Sequence, residues 1–375
     1  MNIPTTSTEF TTDWLTTALR TTSTITHAAV TKCEVQPLTT LNDLTSQQVR
    51  LCLTYDRTEG EAPRTLIAKF SAADPEMRKN WQGHYAREVN FYQQVAPHVA
   101  LRVPRCYYSA LDGASGAHVL LLEDLAPAAS PGWEEGCTLA QTAEAIRQIA
   151  CLHADWWDNP RLSEMGVGQP NQDYLHHGQE RYQTHAWAAF AAKVGDQIPG
   201  ALRELGRGLG EYYVKVFTYL QQPPVTLAHF DYKPSNLFFA TNQGGAPFAV
   251  ANWQLNMRHR GVFDVAYLLS GGVKSEVRRQ KEQEWLSLYH ATLCEKGVRG
   301  YTLDQCRFDY RLSLLRRFMR FVIWIGGGGN FDLEQKQLIH QILLPRTCSA
   351  MLDFDVPAVL AELDSISVGE GASHA

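Results

Sequence analysis

The chain has 375 residues, of which 45% are hydrophobic and 19% charged, and its formal net charge is −5. This length is enough for two lobes with separate cores, and the composition is that of an ordinary globular protein. The slight negative charge gives no general attraction to nucleic acid. No run of eighteen apolar residues occurs, so no transmembrane span is expected.

The first 125 residues are predicted to form a small strand-rich lobe with one long helix. The start of the chain lacks the basic and apolar regions of a signal peptide, and Thr12-Asp13 indicates a short capped helix. The remaining predicted elements are strands on both sides of a polar turn at 39–46, a strand ending at Lys69, a helix over 77–96, and strands around 106–109 and 118–122.

A linker rich in Pro, Ala and Gly at 126–132 begins a second, larger lobe, which covers 126–375 and is mainly helical apart from strands at 225–253. The apolar segment 312–325 contains three arginines, which favours a core or amphipathic helix over a membrane anchor. The eight cysteines are scattered without a C-x-x-C pair. Free thiols in a reducing cytoplasm are therefore favoured over metal binding.

The most informative stretch runs from His229 to Phe239 and reads HFDYKPSNLFF. Asp231 is followed five residues later by Asn236 and then by a short apolar strand. In phosphoryl transfer, such an Asp can accept the proton of the attacking hydroxyl, and such an Asn can ligate a Mg²⁺ that bridges nucleotide phosphates. His229 is expected to brace this catalytic loop from behind. For the segment taken alone, an ordinary polar turn between strands remains an alternative.

This loop resembles that of the aminoglycoside and choline phosphotransferase superfamily, and most closely that of the ecdysteroid-kinase-like, or CHK-type, small-molecule kinases. The same resemblance is carried, in the family's order, by TLIAKF at 65–70, YAREVNFY at 85–92, LLEDL at 121–125 and IACLHADWW at 149–157. It implies an α+β, protein-kinase-like fold with two lobes, a small antiparallel-sheet lobe and a mainly helical lobe. It also implies transfer of phosphate from ATP, with Mg²⁺, to a small hydroxylated molecule in the cytoplasm, with neither nucleic acid nor membrane as partner.

The resemblance also assigns roles to single residues. Lys69 would contact the nucleotide phosphates with Glu88 as its ion-pair partner, although an exposed lysine on the surface is the plain alternative. The backbone at Glu123 and Leu125 would bind adenine. Asp264 would support the catalytic loop by bonding its backbone, whereas the simpler alternative is a helix N-cap.

Two departures from the family pattern bear on activity. The family carries a metal-binding Asp in an I-D-W-Q pattern where this chain has Asn252, and no Asp or Glu occurs over 240–263. Asn236 and Asn252 are therefore the predicted metal ligands, and the missing charge weakens their hold on Mg²⁺. The turn at 39–46 also lacks the glycine that the family usually has over the phosphates, which makes close approach harder. Only Asn42 and Thr45 or Ser46 resemble the family's polar turn, and Asn42 is the predicted nucleotide-binding residue there.

Three interpretations remain open at this point. The chain is a slow or metal-altered kinase of a small hydroxylated molecule, or a pseudokinase or binding protein of the same fold, or an enzyme whose Asp was replaced by Asn on purpose. The first is favoured because Asp231 is intact. Acceptor contacts are expected from 160–215 and from the C-terminal helices, where the absence of a strong acidic cluster allows a neutral or lipophilic alcohol as readily as a polycation.

Overall fold

The structure is a computed structural model that describes residues 1–38, 46–328 and 332–366. The chain divides into two compact units. The first unit comprises Met1–Ser130 and Leu237–Asn256, and the second comprises Pro131–Asn236 and Met257–Ala375. Among the described residues, no helix combines the length and the apolar character needed to cross a membrane.

The strands and helices are numbered in chain order within these described ranges. The strands are β1 Val30–Pro37, β2 Ser46–Tyr55, β3 Thr65–Ser71, β4 Cys106–Leu111, β5 His118–Glu123, β6 Thr226–Ala228, β7 Leu237–Thr241, β8 Gly244–Val250 and β9 Met257–His259. The helices are α1 Thr12–Thr21, α2 Pro75–Asn90, α3 Leu139–Asp155, α4 Arg161–Glu164, α5 Gln172–Arg181, α6 Trp187–Val194, α7 Gly200–Gln221, α8 Val262–Gly272, α9 Ser275–Glu295, α10 Leu303–Phe321, α11 Leu333–Leu338, α12 Leu344–Asp353 and α13 Val356–Ser365.

A five-stranded antiparallel sheet forms the centre of the first unit, with strand order β1-β2-β3-β5-β4. Alternate side chains of β3 point to opposite faces of this sheet. Leu66, Ala68 and Phe70 join the apolar core that also contains Leu15 and Leu19 of α1. Lys69 therefore projects from the other face of the sheet.

The β7–β8 hairpin belongs to the first unit, whereas the sequence-based division at residue 125 assigned it to the second lobe. Backbone amides of Ala129 and Phe239 each donate to the carbonyl of the other at 2.9 Å. After the hairpin, the ring of Trp253 stacks on that of Phe91, with centroids 4.1 Å apart. These contacts join chain segments far apart in sequence, so local composition could not reveal them.

The second unit is mainly helical, and α10 lies in its core with α7 and α8 packed against it. Residues 312–321 of the segment predicted as a core or amphipathic helix lie in α10, where Leu314, Leu315 and Phe318 are fully buried, and residues 322–325 continue in a π-helical turn. A two-stranded ribbon of β6 and β9 precedes α8. All eight cysteines are free thiols, three of them buried. The predicted fold class, an antiparallel sheet with a mainly helical remainder, is confirmed.

Candidate functional site

A buried polar cluster surrounds Lys69 in the first unit. The Lys69 ammonium lies 2.7 Å from Glu88 Oε2 and donates hydrogen bonds to Asn252 Oδ1 at 2.8 Å and to Gln254 Oε1 at 3.3 Å. Only 3% of Lys69 is exposed. Because a surface lysine keeps its ammonium in water, this burial argues against the plain alternative.

The fold explains why these four side chains meet. Glu88 lies on α2, and Tyr85 one turn earlier stacks on His118 of β5, which fixes the helix against the sheet. The other carboxylate oxygen of Glu88 accepts a hydrogen bond from Trp253 N at 3.1 Å. This bond ties the segment after β8 to α2, and Asn252 there adopts a left-handed backbone with φ of 67°.

Two of the four side chains in this cluster carry opposite charges, and the other two are neutral. One ammonium and one carboxylate cancel, while the amide oxygens of Asn252 and Gln254 bring only dipoles. Mg²⁺ is a hard cation that favours carboxylates beside phosphate oxygens. Because Asn252 Oδ1 is neutral and already accepts from Lys69, these residues do not by themselves fit a Mg²⁺ site. Within the described ranges, no group of three or more His, Cys, Asp or Glu side chains is arranged to hold a metal.

The predicted adenine-binding segment lies at the end of β5. The Glu123 carboxylate binds the Arg102 guanidinium and accepts from Arg105 N at 3.0 Å, so its side chain is used within the first unit. Leu125 is buried, and its carbonyl accepts from Ala128 N at 2.9 Å. Any base contact here would thus come from the backbone. Asn42, the residue predicted for the phosphate turn, lies outside the described residues.

The second unit contains the predicted catalytic loop, where Asp231 is 3% exposed. Its Oδ2 lies 2.9 Å from Lys233 Nζ and accepts from Asn236 Nδ2 at 3.1 Å. Asn236 Nδ2 also donates to the Asp231 carbonyl at 2.8 Å. The two predicted catalytic residues are thus brought together. Lys233 was not predicted, although its position two residues after Asp231 in the same short loop was a usable signal; the Lys233 amide donates to the Asp231 carbonyl at 2.9 Å and turns the chain there.

The electrostatic surroundings keep Asp231 ionised. Burial alone would raise the pKa of this carboxyl group, but the charges of Lys233 and Arg320, with a smaller effect of His229, hold it below its ordinary value. Burial likewise lowers the pKa of Lys233, whereas Asp231 raises it more, so the net shift is upward. A buried, ionised carboxylate can accept a proton or a hydrogen bond from a hydroxyl group.

Asp264 holds the backbone at the start of the catalytic loop. Its Oδ2 accepts from His229 N at 2.7 Å, and its Oδ1 accepts from Phe230 N at 2.8 Å. Phe230 has a φ of 68°, a left-handed conformation that is costly for a bulky residue and that these bonds help to hold. Helix α8 begins after Gly261, so the Asp264 carboxylate is not its N-cap.

Two further histidines take part in this support. His229 Nδ1 accepts from Asp231 N at 3.2 Å, which places its ring behind the loop. His153 on α3 lies 3.2 Å from Asp264 Oδ2 through Nε2 and 2.9 Å from the Tyr289 hydroxyl through Nδ1. Both histidines are fully buried. Through these contacts they orient the Asp264 carboxylate and the loop.

Comparisons with known proteins agree with this arrangement. The sequence profile of the ecdysteroid kinase-like family matches residues 41–298, which is more than half of the chain. No curated protein is found that matches by sequence. A solved structure of a putative aminoglycoside phosphotransferase from Ralstonia eutropha JMP134 has a TM-score of 0.53 and 16% identity, covering 86% of this chain and 93% of that one. The GDP complex of wild-type aminoglycoside 2'-phosphotransferase-IIIa has a TM-score of 0.54 and 13% identity, covering 90% and 99%.

At these identities the solved structures establish the fold, which is the protein-kinase-like fold of small-molecule phosphotransferases. The profile match covers β2, β3 and the catalytic loop, and therefore includes Lys69, Asp231 and Asn252. The resemblance predicted from the sequence is confirmed: the chain belongs to the ecdysteroid kinase-like family.

Proposed function

We propose that the protein transfers the γ-phosphoryl group of ATP to a hydroxyl group of a small molecule. The observation that carries this proposal is the buried, ionised Asp231, which is bonded to Asn236 and paired with Lys233 in a loop whose backbone Asp264 holds. An ordinary turn between strands has no need of a desolvated carboxylate with two cations around it.

In the proposed reaction, Asp231 accepts the proton as the acceptor oxygen attacks the γ-phosphorus. The bond from phosphorus to the bridging oxygen breaks, and ADP leaves with the electron pair. The lowered pKa of Asp231 makes it a weak base, so it orients the hydroxyl and takes the proton late. Lys233 supplies positive charge beside the Asp231 carboxylate. This charge would stabilise the negative charge on the phosphoryl group during its transfer.

Lys69 is proposed to neutralise the nucleotide phosphates, with Glu88 fixing its ammonium. The base would lie against the backbone at Glu123 and Leu125. Because the side chains around Lys69 do not by themselves fit a Mg²⁺ site, any Mg²⁺ would be held mainly by the nucleotide phosphates, where it would supply further charge neutralisation. The neutral Asn252 favours weak metal affinity and slow turnover. The aminoglycoside 2'-phosphotransferase-IIIa structure holds GDP, so GTP is a donor to test beside ATP.

A second candidate function is nucleotide binding without efficient transfer. It is favoured by one observation. A metal-binding carboxylate is expected at position 252, but the neutral Asn252 side chain accepts a hydrogen bond from Lys69 there and brings no charge for a metal. This candidate predicts nucleotide affinity without transfer to any hydroxyl compound.

Calorimetric titration with ATP and with GTP, each with and without Mg²⁺ or Mn²⁺, tests the nucleotide half of the proposal. Lys69→Met should weaken binding by roughly tenfold or more, since a charge-assisted contact to phosphate is lost. Lys32→Met, at an exposed position on β1, is the matched control and should change nothing. If the unaltered protein binds neither nucleotide, both candidate functions are wrong. If a nucleotide binds, ADP release in the presence of hydroxyl compounds distinguishes phosphotransfer from nucleotide binding without transfer.

A further inference from the structure

Three arginines of α10 lie near the catalytic loop in the second unit, and Arg316 is the most unusual of them. Its guanidinium carbon lies 4.1 Å from the ring centroid of Phe217, 4.4 Å from that of Phe230 and 5.2 Å from that of Phe263. Phe230 directly precedes Asp231. A permanent positive charge therefore sits on the ring of the residue next to the proposed base.

Arg316 has no counter-ion among the described residues. It is 4% exposed, its Nε is buried without a partner, and within the described ranges no ion pair or hydrogen bond involves its guanidinium. The buried Arg278, by contrast, pairs with Glu282 and Asp353, and the buried Arg260 lies 3.4 Å from Asp309 Oδ2. Contacts with aromatic faces offset only part of the cost of removing a guanidinium from water.

The charge is nonetheless retained. Burial lowers the pKa of Arg316 to about 9, which leaves the group protonated at neutral pH. Tyr213 and Tyr174 act in the opposite direction on this pKa, so two phenol groups lie within electrostatic reach of the guanidinium. Tyr213 also stacks on Phe217, with ring centroids 4.2 Å apart. The surroundings of the charge are thus aromatic and hydroxyl-bearing, without a carboxylate.

Arg320 adds a second cation, one turn further along α10 and half-buried. Its Nη1 donates weakly to the Phe230 carbonyl at 3.4 Å, and its charge lowers the pKa of Asp231. No carboxylate of the described chain lies within ion-pair distance of it. We call Phe217, Phe230, Arg316 and Arg320 the arginine–aromatic cluster.

We propose that the arginine–aromatic cluster binds an anionic group of the acceptor, so that the substrate is a hydroxyl-bearing organic acid with an apolar body. This inference rests on the proposed function, because Asp231, which lies beside the cluster, is taken as the group that accepts the proton of the acceptor's hydroxyl group. An acid would provide the counter-ion that Arg316 lacks, and guanidinium groups match carboxylate or sulfate oxygens in pairs. The aromatic rings would contact the apolar body of the acceptor. A cationic acceptor would meet repulsion from two arginines.

The test uses compounds that differ only in charge. ω-Hydroxyalkanoates of increasing chain length, their ω-hydroxyalkyl sulfate analogues and the α,ω-diols of the same lengths are titrated into the full-length protein by calorimetry. At least one acid should bind tenfold or more tightly than its diol. The comparison of the carboxylate and sulfate series shows which anion the cluster prefers. Equal affinities of acids and diols, or no binding of any acid, overturn the inference.

Variants then assign the preference to the cluster. Arg316→Met and, at a more accessible position, Arg320→Met should each remove most of the preference for the acid. The control is Arg311→Met on the same helix, where the guanidinium bonds the Phe354 and Asp355 carbonyls instead, and it should keep the preference. A preference that survives in both cluster variants places the anion elsewhere.

The binding measurement separates this inference from the proposed function. Tight binding of a hydroxy acid without any transfer from ATP would leave the anion site standing and contradict phosphotransfer. Phosphorylation of a diol as efficiently as of its acid would support phosphotransfer and overturn the anion site.

Discussion

Asn252 Oδ1 accepts a hydrogen bond from Lys69 Nζ at 2.8 Å, at the position where the family pattern carries a carboxylate. The amide oxygen accepts this hydrogen bond but carries no charge. Glu88 Oε2 lies 2.7 Å from the same ammonium and brings a full negative charge to it. A buried lysine held by a carboxylate can still contact phosphate, whereas the neutral Asn252 oxygen brings no negative charge to a metal.

Asn252→Asp should raise Mg²⁺ affinity in the presence of ATP. The substitution adds an anionic oxygen of nearly the same shape, and the hydrogen bond to Lys69 can persist. Metal titrations at fixed ATP concentration measure the change, with Gln243→Glu in the exposed turn after β7 as a charge-matched control. If transfer or ATP hydrolysis rises as well, the chain is an attenuated kinase. Unchanged metal affinity and turnover would instead move nucleotide binding without transfer to first place.

Asp231→Asn should reduce phosphotransfer by roughly 10²–10⁴-fold and leave nucleotide affinity nearly unchanged. The amide cannot take the proton of the acceptor, whereas the predicted nucleotide contacts come from Lys69 and the backbone near Glu123. Steady-state kinetics and calorimetry on the same preparation measure the two effects. Asp196→Asn, at an exposed position, serves as the control. Full activity of the Asp231 variant would exclude this residue as the base.

Gly261→Ala should weaken the support of the catalytic loop. An added methyl group would lie 2.6 Å from His153 Nδ1 and 2.6 Å from the Tyr289 hydroxyl, which are buried and bonded to each other. We expect a loss of about 1–3 kcal/mol in the free energy of unfolding, together with reduced turnover.

Gly208→Ala is the matched control, because nothing lies within 4 Å of an added methyl group at this position in α7. It should stabilise the protein by about 0.5–1 kcal/mol through helix propensity. Urea denaturation of both variants measures the difference. Equal stability of the two would show that the neighbours of Gly261 move without cost.

Glu282→Gln should change the pH dependence of stability. Burial raises the pKa of Glu282 to about 7, against the effects of Arg278 and Tyr310, whereas the ordinary value is 4.5. Between these two pH values the folded protein keeps a proton that the unfolded chain has released. The free energy of unfolding therefore falls as pH rises through this window, by up to about 3 kcal/mol from this group.

The Glu282→Gln variant has no such titration, so its stability relative to the unaltered protein should increase from pH 4.5 to pH 7. Denaturation curves at several pH values measure this trend. Glu284→Gln, an exposed position on the same helix, should leave the pH profile parallel to that of the unaltered protein. A parallel profile for Glu282→Gln would mean that Arg278 keeps this carboxyl group ionised throughout.

The sequence by itself determined the fold class and the positions that carry the candidate chemistry. Strand β3 carries Leu66, Ala68 and Phe70 on one face and Lys69 on the other, and this alternation is a local property of the chain. The spacing from Asp231 to Asn236 is likewise local, since both lie in one loop and bond each other. Such features depend on neighbours in sequence and can be read from it.

Only the tertiary structure decided which distant residues share an environment. Lys69 meets Asn252 from 183 residues away, because the segment after β8 is tied to α2 by the bond from Trp253 N to Glu88. The burial of Arg316 without a counter-ion was equally hidden. In the sequence, Arg316 is simply one of three arginines in a predicted helix. Its isolation from carboxylates depends on the aromatic rings of α7, α8 and the catalytic loop that surround its guanidinium. Contacts of this kind arise from packing, and a local pattern carries no record of them.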